Sequence, residues 1–250
     1  MINLALSIAA GFLVALLIKL GGFPLIAAII PGTIVTLGTL ILLGRRSFAQ
    51  FQALMKGVED ELKGMSQNKK EQQARADKAI KLLEAGLPLG KWQFLIEGQI
   101  YGQIGTIKHL FKDYDGALAA FKKSGDRNYF AKAMEAAIYF QRKDFGSMQK
   151  SFEDAVKHGN KEGLMWAAYA WCLIQNKDSD SAMKVLSRGV EANPNDEKLK
   201  KALNSLQNDK RLKMSPWEPM WWQLGLEAPP MQQVQFMGGG GSKRRRGFRG

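Results

Sequence analysis

The stretch Asp113-Tyr114-Asp115-Gly116-Ala117-Leu118-Ala119-Ala120-Phe121 decides the fold. Ala117 and Phe121 stand four positions apart, one turn of helix, on a single face. The same spacing returns as Met148…Phe152 after Lys143-Asp144-Phe145-Gly146, and as Ala182…Leu186 after Lys177-Asp178. The intervals of 31 and 34 residues are those of a helix–turn–helix solenoid. Such a stack offers an extended concave surface, suited to holding another molecule rather than to enclosing a reaction.

Upstream of this pattern the composition changes. Lys19 is the one charged side chain in residues 1–43; all the others follow Gly44. Residues 2–18 and 23–43 are apolar runs separated by Lys19-Leu20-Gly21-Gly22. At about 1.5 Å per helical residue, the second run matches a hydrocarbon core of roughly 30 Å and the first is at the lower limit. With Pro24 suited to a helix start, residues 1–44 read as a transmembrane hairpin. A cleaved signal peptide is the competing reading of the first run, but a basic leader is missing and a second run follows at once. Asn3, Ser7, Ala10 and Val14 share one face of the first helix, and Gly32, Thr33, Thr36 and Thr39 one face of the second. Small and hydroxyl residues let membrane helices approach closely, so these stripes read as the hairpin's own seam or as a docking face for another membrane protein. Arg45-Arg46 after the second run outweigh the lone Lys19. Positive charge stays inside, so both termini are expected in the cytoplasm of a chain crossing the inner membrane twice.

Residues 45–66 read as an amphipathic helix and linker. Phe48, Phe51, Leu54, Met55, Val58 and Leu62 fall near one face, and Gly64 to Lys70 forms a break. That face could lie on the membrane, pack on the solenoid or meet a second copy. Residues 67–211 make the repeat domain, opened by the helix Ala74–Glu84 and closed by a polar-backed helix after Asn193-Pro194.

The repeat pattern resembles the tetratricopeptide repeat family over about residues 98–196, in the manner of membrane-anchored bacterial members. The first repeat has Tyr101, Ile104, Gly105, Ala117 and Phe121 at family positions; the second has Ala136, Tyr139, Phe152 and Ala155, with Met148 replacing a small residue. The third has Trp166, Tyr169, Ala170, Ala182, Leu186 and Pro194. Lys132 stands where an aromatic is usual, and no proline ends the first two repeats. The resemblance implies a groove lined by the first helix of each repeat: Gln99, Gly102, Thr106 and His109, then Phe130, Ala133, Ala137 and Phe140, then Leu164, Ala167, Trp171 and Ile174. Phe130, Phe140, Leu164, Trp171 and Ile174 are the implied partner contacts, in an apolar groove that suits an amphipathic helix or hydrophobic peptide. The basic and asparagine residues of the family's carboxylate-clamp version are missing from these positions.

Residues 212–250 lose the helical period. Ser215-Pro216-Trp217-Glu218-Pro219-Met220-Trp221-Trp222 holds half of the chain's six tryptophans. Such a cluster folds back onto the solenoid, inserts at the membrane interface or grips a partner, because each ring buries a large apolar area. Gly238–Gly241 is a tether, and Lys243, Arg244, Arg245, Arg246 and Arg249 make a basic end that suits anionic lipid or nucleic acid.

The motifs of an enzyme are missing: a phosphate-binding glycine loop, a nucleophile elbow, a metal-ligand cluster. Asp113, Asp115, Asp178 and Asp180 fall at turns, where aspartate caps helices, and Cys172 reads as a buried thiol. The fold class expected is all-α: a transmembrane hairpin, a short solenoid and an irregular tail. The function expected is a membrane-anchored adaptor without cofactor, metal or small-molecule substrate. It would bind protein partners at the cytoplasmic face of the inner membrane. Alternatives are a subunit or assembly factor of a larger membrane complex, and a nucleic-acid-binding membrane protein using its basic tail.

Overall fold

The computed structural model describes residues 1–63, 68–93 and 95–228. These residues form eleven α-helices, two short 3-10 turns and no strand. Residues 64–67 of the break expected over Gly64 to Lys70, the tether at Gly238–Gly241 and the basic end lie outside them, whereas Asn68 caps a helix that already includes Lys69 and Lys70.

Helix α1 (Ile2–Leu20) turns through Gly21 and Gly22, the latter at φ 85°, into α2 (Leu25–Lys63). Both are long and apolar enough to cross a membrane, with mean hydropathy 2.1 and 2.3 over their most apolar stretches. Their packing is inverted relative to a water-soluble protein. Asn3, Ser7, Gly11, Ala28 and Gly32 are buried, while Phe12, Leu17, Ile26, Ile34 and Leu42 are exposed. Gly11 and Gly32 mark the closest approach. A Cβ on Gly11 would collide with Thr36 Oγ1 and with the Gly32 carbonyl. Asn3 closes the open end of the hairpin, its Nδ2 donating to Ser47 Oγ at 2.8 Å and to the Leu43 carbonyl at 3.3 Å. Ser7 and Thr36 hydroxyls donate to the carbonyls one turn back, Asn3 and Gly32. Asn3, Ser7, Gly32 and Thr36 thus lie in the seam of the hairpin itself, whereas Thr33, expected on the same face, is exposed. Pro31 sits nearly two turns inside α2, where the helix continues through it.

Helix α2 runs unbroken through Arg45-Arg46, so the hairpin and the amphipathic stretch after it are one rod. The apolar face of its second half packs on the solenoid. Phe51, Leu54, Met55 and Leu62 gather with Val58 against Ala76, Ala79 and Leu83 of α3 (Lys69–Gly86). Fully burying side chains such as Val58 and Leu83 contributes roughly 1.5–3 kcal/mol each. Asn68 caps α3, accepting from the Lys70 N–H at 3.0 Å.

Three helix pairs follow: α4 (Ile96–Leu110) with α5 (Tyr114–Ser124), α6 (Tyr129–Gln141) with α7 (Phe145–His158), and α8 (Gly163–Gln175) with α9 (Ser179–Ala192). The recurring pairs Ala117/Phe121, Met148/Phe152 and Ala182/Leu186 are all fully buried. Close approach within a pair is set by glycine: a Cβ on Gly105 would enter the Phe121 ring, and one on Gly189 would stand 2.8 Å from Trp166 Cγ. Each turn within a pair ends in the same two residues. A lysine in left-handed conformation (Lys112, Lys143, Lys177) precedes an aspartate whose Oδ1 accepts from a backbone N–H three residues on. Lys132, at the position usually aromatic, is buried but paired, with Nζ 3.1 Å from Asp126 Oδ1 and 3.2 Å from Glu135 Oε2. Burial opposes its charge, but the two carboxylates outweigh burial and hold its pKa above the ordinary lysine value. Cys172 is completely buried, which pushes its thiol pKa well up. Helix α10 (Glu197–Gln207), capped by Asp196, buries Leu199 and Ala202 and ends the stack.

Candidate functional site: the concave groove and its occupant

The first helices of the three pairs, α4, α6 and α8, supply the positions implied as groove-lining. Ala133, Ala137 and Ala167 are completely buried and keep the floor low. The larger side chains rise from it. Phe140 on α6 and Trp171 on α8 meet edge to face, with ring centroids 5.7 Å apart. Phe140 also contacts Phe145 at 6.3 Å. Leu164 and Trp171 are buried, while Phe130, Phe140 and Ile174 are half-buried against the same core.

The part of this surface around Trp171, Gln141 and His109 is covered by the chain's own C-terminal segment. After α10, Leu212 and Met214 are buried and a 3-10 turn spans Ser215–Trp217. Lys198 Nζ donates to the Pro216 carbonyl at 2.8 Å, and Trp217 is buried near the start of α8, where a Cβ on Gly163 would stand 3.2 Å from its Nε1. The short helix α11 (Met220–Gln223) then places Trp221 edge-on against Trp171, with centroids 5.2 Å apart. Trp221 is completely buried, and its Nε1 donates to Glu227 Oε2 at 3.0 Å. Leu224 is completely buried as well. At Gly225 (φ 68°) the segment crosses the ends of α6 and α4. Gln141 Nε2 donates to the Gly225 carbonyl at 2.8 Å, and a Cβ at 225 would lie 2.6 Å from the His109 ring.

Trp217, Trp221 and Leu224 thus enter the core from three separate places: the end of a 3-10 turn, the short helix α11 and the residue after it. Leu224, Gly225 and Gln141 were not singled out from sequence. The apolar spacing of Trp221 and Leu224 was the available signal for Leu224, hidden by the prolines that break the helix period. Nothing local marks Gln141.

The covering is incompletely satisfied. His109 Nε2 and Trp222 Nε1 are buried without a hydrogen-bond partner. Burial alone drives the His109 pKa below the ordinary histidine value and favours the neutral ring. Both residues line a cavity of about 450 Å³ between α4 and the segment, together with Thr106, Tyr114, Met134 and Leu226. Of the residues expected to make tail contacts, Trp217, Trp221 and Trp222 all lie on the solenoid. Lys243, Arg244, Arg245, Arg246 and Arg249 lie outside the described residues.

Residues 139–206, from the end of α6 into α10, match the family model described as tetratricopeptide repeat. Comparison with curated proteins returns no match, and comparison with solved structures returns none either.

Proposed function

We propose that this chain is a membrane-anchored adaptor whose concave groove receives a segment of a protein partner, with residues 215–227 as the resident occupant until that partner arrives. The observation that carries the reading is the seating of Trp221 on Trp171, beside the Gln141–Gly225 hydrogen bond. An irregular segment held by apolar anchors and by a bond to its own backbone is bound as a peptide ligand would be. The repeat match over residues 139–206 supports a protein-binding role for the same surface. His109 Nε2 in the groove and Trp222 Nε1 on the tail are buried without partners, each at a cost of about 1–3 kcal/mol, so a ligand that bonded His109 and released Trp222 to water would compete well with the tail. Being tethered, the tail competes as an intramolecular ligand and lowers the partner's apparent affinity.

The anchoring half of the proposal rests on the inverted packing of α1 and α2. A core helix of a soluble protein is mostly buried, whereas only 17% and 11% of their most apolar stretches are. The side chains turned outward are leucine, isoleucine and phenylalanine. Arg45 and Arg46 against Lys19 favour a cytoplasmic solenoid at the inner membrane.

The test is photo-crosslinking in native membranes from a photoreactive residue at position 174, one turn from the Trp171 ring that the tail covers. Removing residues 213–250 should increase adduct yield, and adding a synthetic 213–228 peptide should return it to background. A folded, tail-deleted protein that neither gains adducts nor binds the peptide would reject the groove as the partner site.

A further inference from the structure

The connection from α3 to α4 returns to the open end of the hairpin. After the 3-10 turn Leu87–Lys91, the Trp92 carbonyl accepts from the Asn3 backbone N–H at 3.2 Å. Asn3 is itself bonded to α2 through Leu43 and Ser47, so this loop is tied to the place where both helices leave the apolar span. Between them lies a cavity of about 430 Å³ walled by Leu4 of α1, Leu40 and Gly44 of α2, and Trp92, Gln93 and Leu95 of the loop. Three features make it unlike an ordinary packing gap. Trp92 and Leu95 are 44% and 49% exposed although their neighbours are apolar. Gln93 Oε1 is buried with no donor. Arg45 and Arg46, directly after Gly44, and Lys91, directly before Trp92, are exposed and form no salt bridge among the described residues.

We infer that this cavity is a binding site for one anionic phospholipid with a hydroxylated headgroup, of the phosphatidylglycerol type. The inference rests on the membrane reading of residues 2–43. If these residues span the bilayer, Asn3 and Gly44 stand at the edge of the hydrocarbon, and Trp92 stands at headgroup depth, where tryptophan is favoured. The site then presents its chemistry in the order of a lipid molecule. Leu4 and Leu40 continue the outward apolar face of the hairpin and take the start of an acyl chain. Arg45, Arg46 and Lys91 adjoin the lining residues in sequence without lining the cavity themselves, so they attract the phosphate through the positive potential around its mouth, and Gln93 Oε1 accepts from a headgroup hydroxyl. Charge complementarity and continuity with the lipid-facing surface select this occupant over a peptide, which would have to enter at bilayer depth.

Gly44 gives a clean test, because the nearest atom to an added Cβ is Gln93 Oε1 at 3.9 Å, across the cavity. Gly44→Leu fills the space without removing a charge. Trp92→Ala takes away the opposite wall, and Arg45→Gln with Arg46→Gln removes cations and keeps the shape. Full-length protein, extracted in mild detergent, would be titrated with phosphatidylglycerol, phosphatidylethanolamine, phosphatidylcholine and inorganic phosphate, with bound species counted by native mass spectrometry. The wild type should retain one phosphatidylglycerol, preferred over phosphatidylcholine roughly tenfold or more, the scale of two arginines beside an anionic headgroup. Gly44→Leu and Trp92→Ala should each lose it, and the double glutamine variant, which keeps Lys91, should lose most of the preference. Equal retention by wild type and Gly44→Leu, a preference for phosphatidylethanolamine, or no preference in the wild type would each overturn the inference. Release of the wild-type chain from membranes by alkaline carbonate would instead overturn the anchoring on which it rests.

Discussion

Lys112, Lys143 and Lys177 adopt φ of 63°, 60° and 62°, a left-handed conformation that costs a residue with a Cβ about 1–2 kcal/mol. The following aspartate pins the next helix at each site, so the lysine carries strain that the cap offsets. Lys177→Gly should therefore raise stability by about 0.5 kcal/mol, relief of strain exceeding the entropy glycine adds to the unfolded chain. Asp178→Ala should lower it by about 1 kcal/mol through loss of the bond from the Ser181 N–H. Paired thermal melts of the two variants check both signs. His109 makes a different claim. Burial depresses its pKa in the folded chain, so the unfolded chain binds the proton first as pH falls. The stability tied to the neutral ring is complete above the ordinary histidine pKa of about 6.5 and is lost progressively below it. Gly225 and Trp222 of the tail, Tyr114 of α5 and Lys112 at the adjoining turn face or neighbour this ring, and Glu227 lies across the cavity. His109→Phe keeps the ring contact with Tyr114 and removes the titration. Its stability between pH 7 and 5 should decline less than that of the wild type, measured by urea melts across the series; parallel declines would show that the tail does not sense this ring.

At the scale of elements, the hairpin depends on one crossing. Gly11 and Gly32 let two helices touch backbone to backbone, and the hydroxyl of Thr36 sits within that contact. Gly11→Leu has no space for its side chain and should drive α1 off α2, freeing Asn3 from Ser47. The expected readout is a loss of disulfide formation between cysteines introduced at Asn3 and Ser47, whose side chains meet in the native hairpin, in a Cys172→Ser background, while the repeat domain melts as before. Unchanged cross-linking would mean that the seam tolerates bulk and is not set by these glycines. The long helix α2 carries this contact onward. Its second half is clamped to α3 by Leu54, whose methyl would collide with a Cβ on Gly86. Hairpin and solenoid are thus joined by a continuous rod rather than by a hinge.

The whole molecule has an apolar end, a stack of helix pairs, and a tail that turns back across the stack. Trp221→Ala should cost about 3–5 kcal/mol, because it empties a completely buried site against Trp171. Calorimetry checks the magnitude. A loss confined to the last repeats, read by hydrogen exchange, would agree with a solenoid in which each pair contacts only its neighbours. Orientation is tested separately, in a Cys172→Ser background. A cysteine at Leu20 should react with an impermeant thiol reagent on intact cells, and one at Ser242 should not. The reverse labelling pattern would invert the proposed topology and place the solenoid outside.

The chain's own residues determined the apolar runs, the 31- and 34-residue period, the capping aspartates and the register that brings Phe140 beside Trp171. Each of these depends on neighbours within a turn or a repeat of one another, and such periodicities can be read directly. The destination of residues 215–228 was not readable in this way. Three tryptophans announce burial without saying against what, and their anchors, Trp171, Gln141 and His109, lie from about fifty to more than a hundred positions away. The same holds for the second half of α2, whose stripe suits a membrane, a second copy or α3 equally well until the shapes of Leu54 and Gly86 are known. It holds too for Trp92, an unremarkable loop residue in sequence that becomes a wall of a cavity once the Asn3 N–H is bonded to its carbonyl. Local chemistry specified the parts and their spacing; shape complementarity between distant segments decided which surfaces were covered and which were left open.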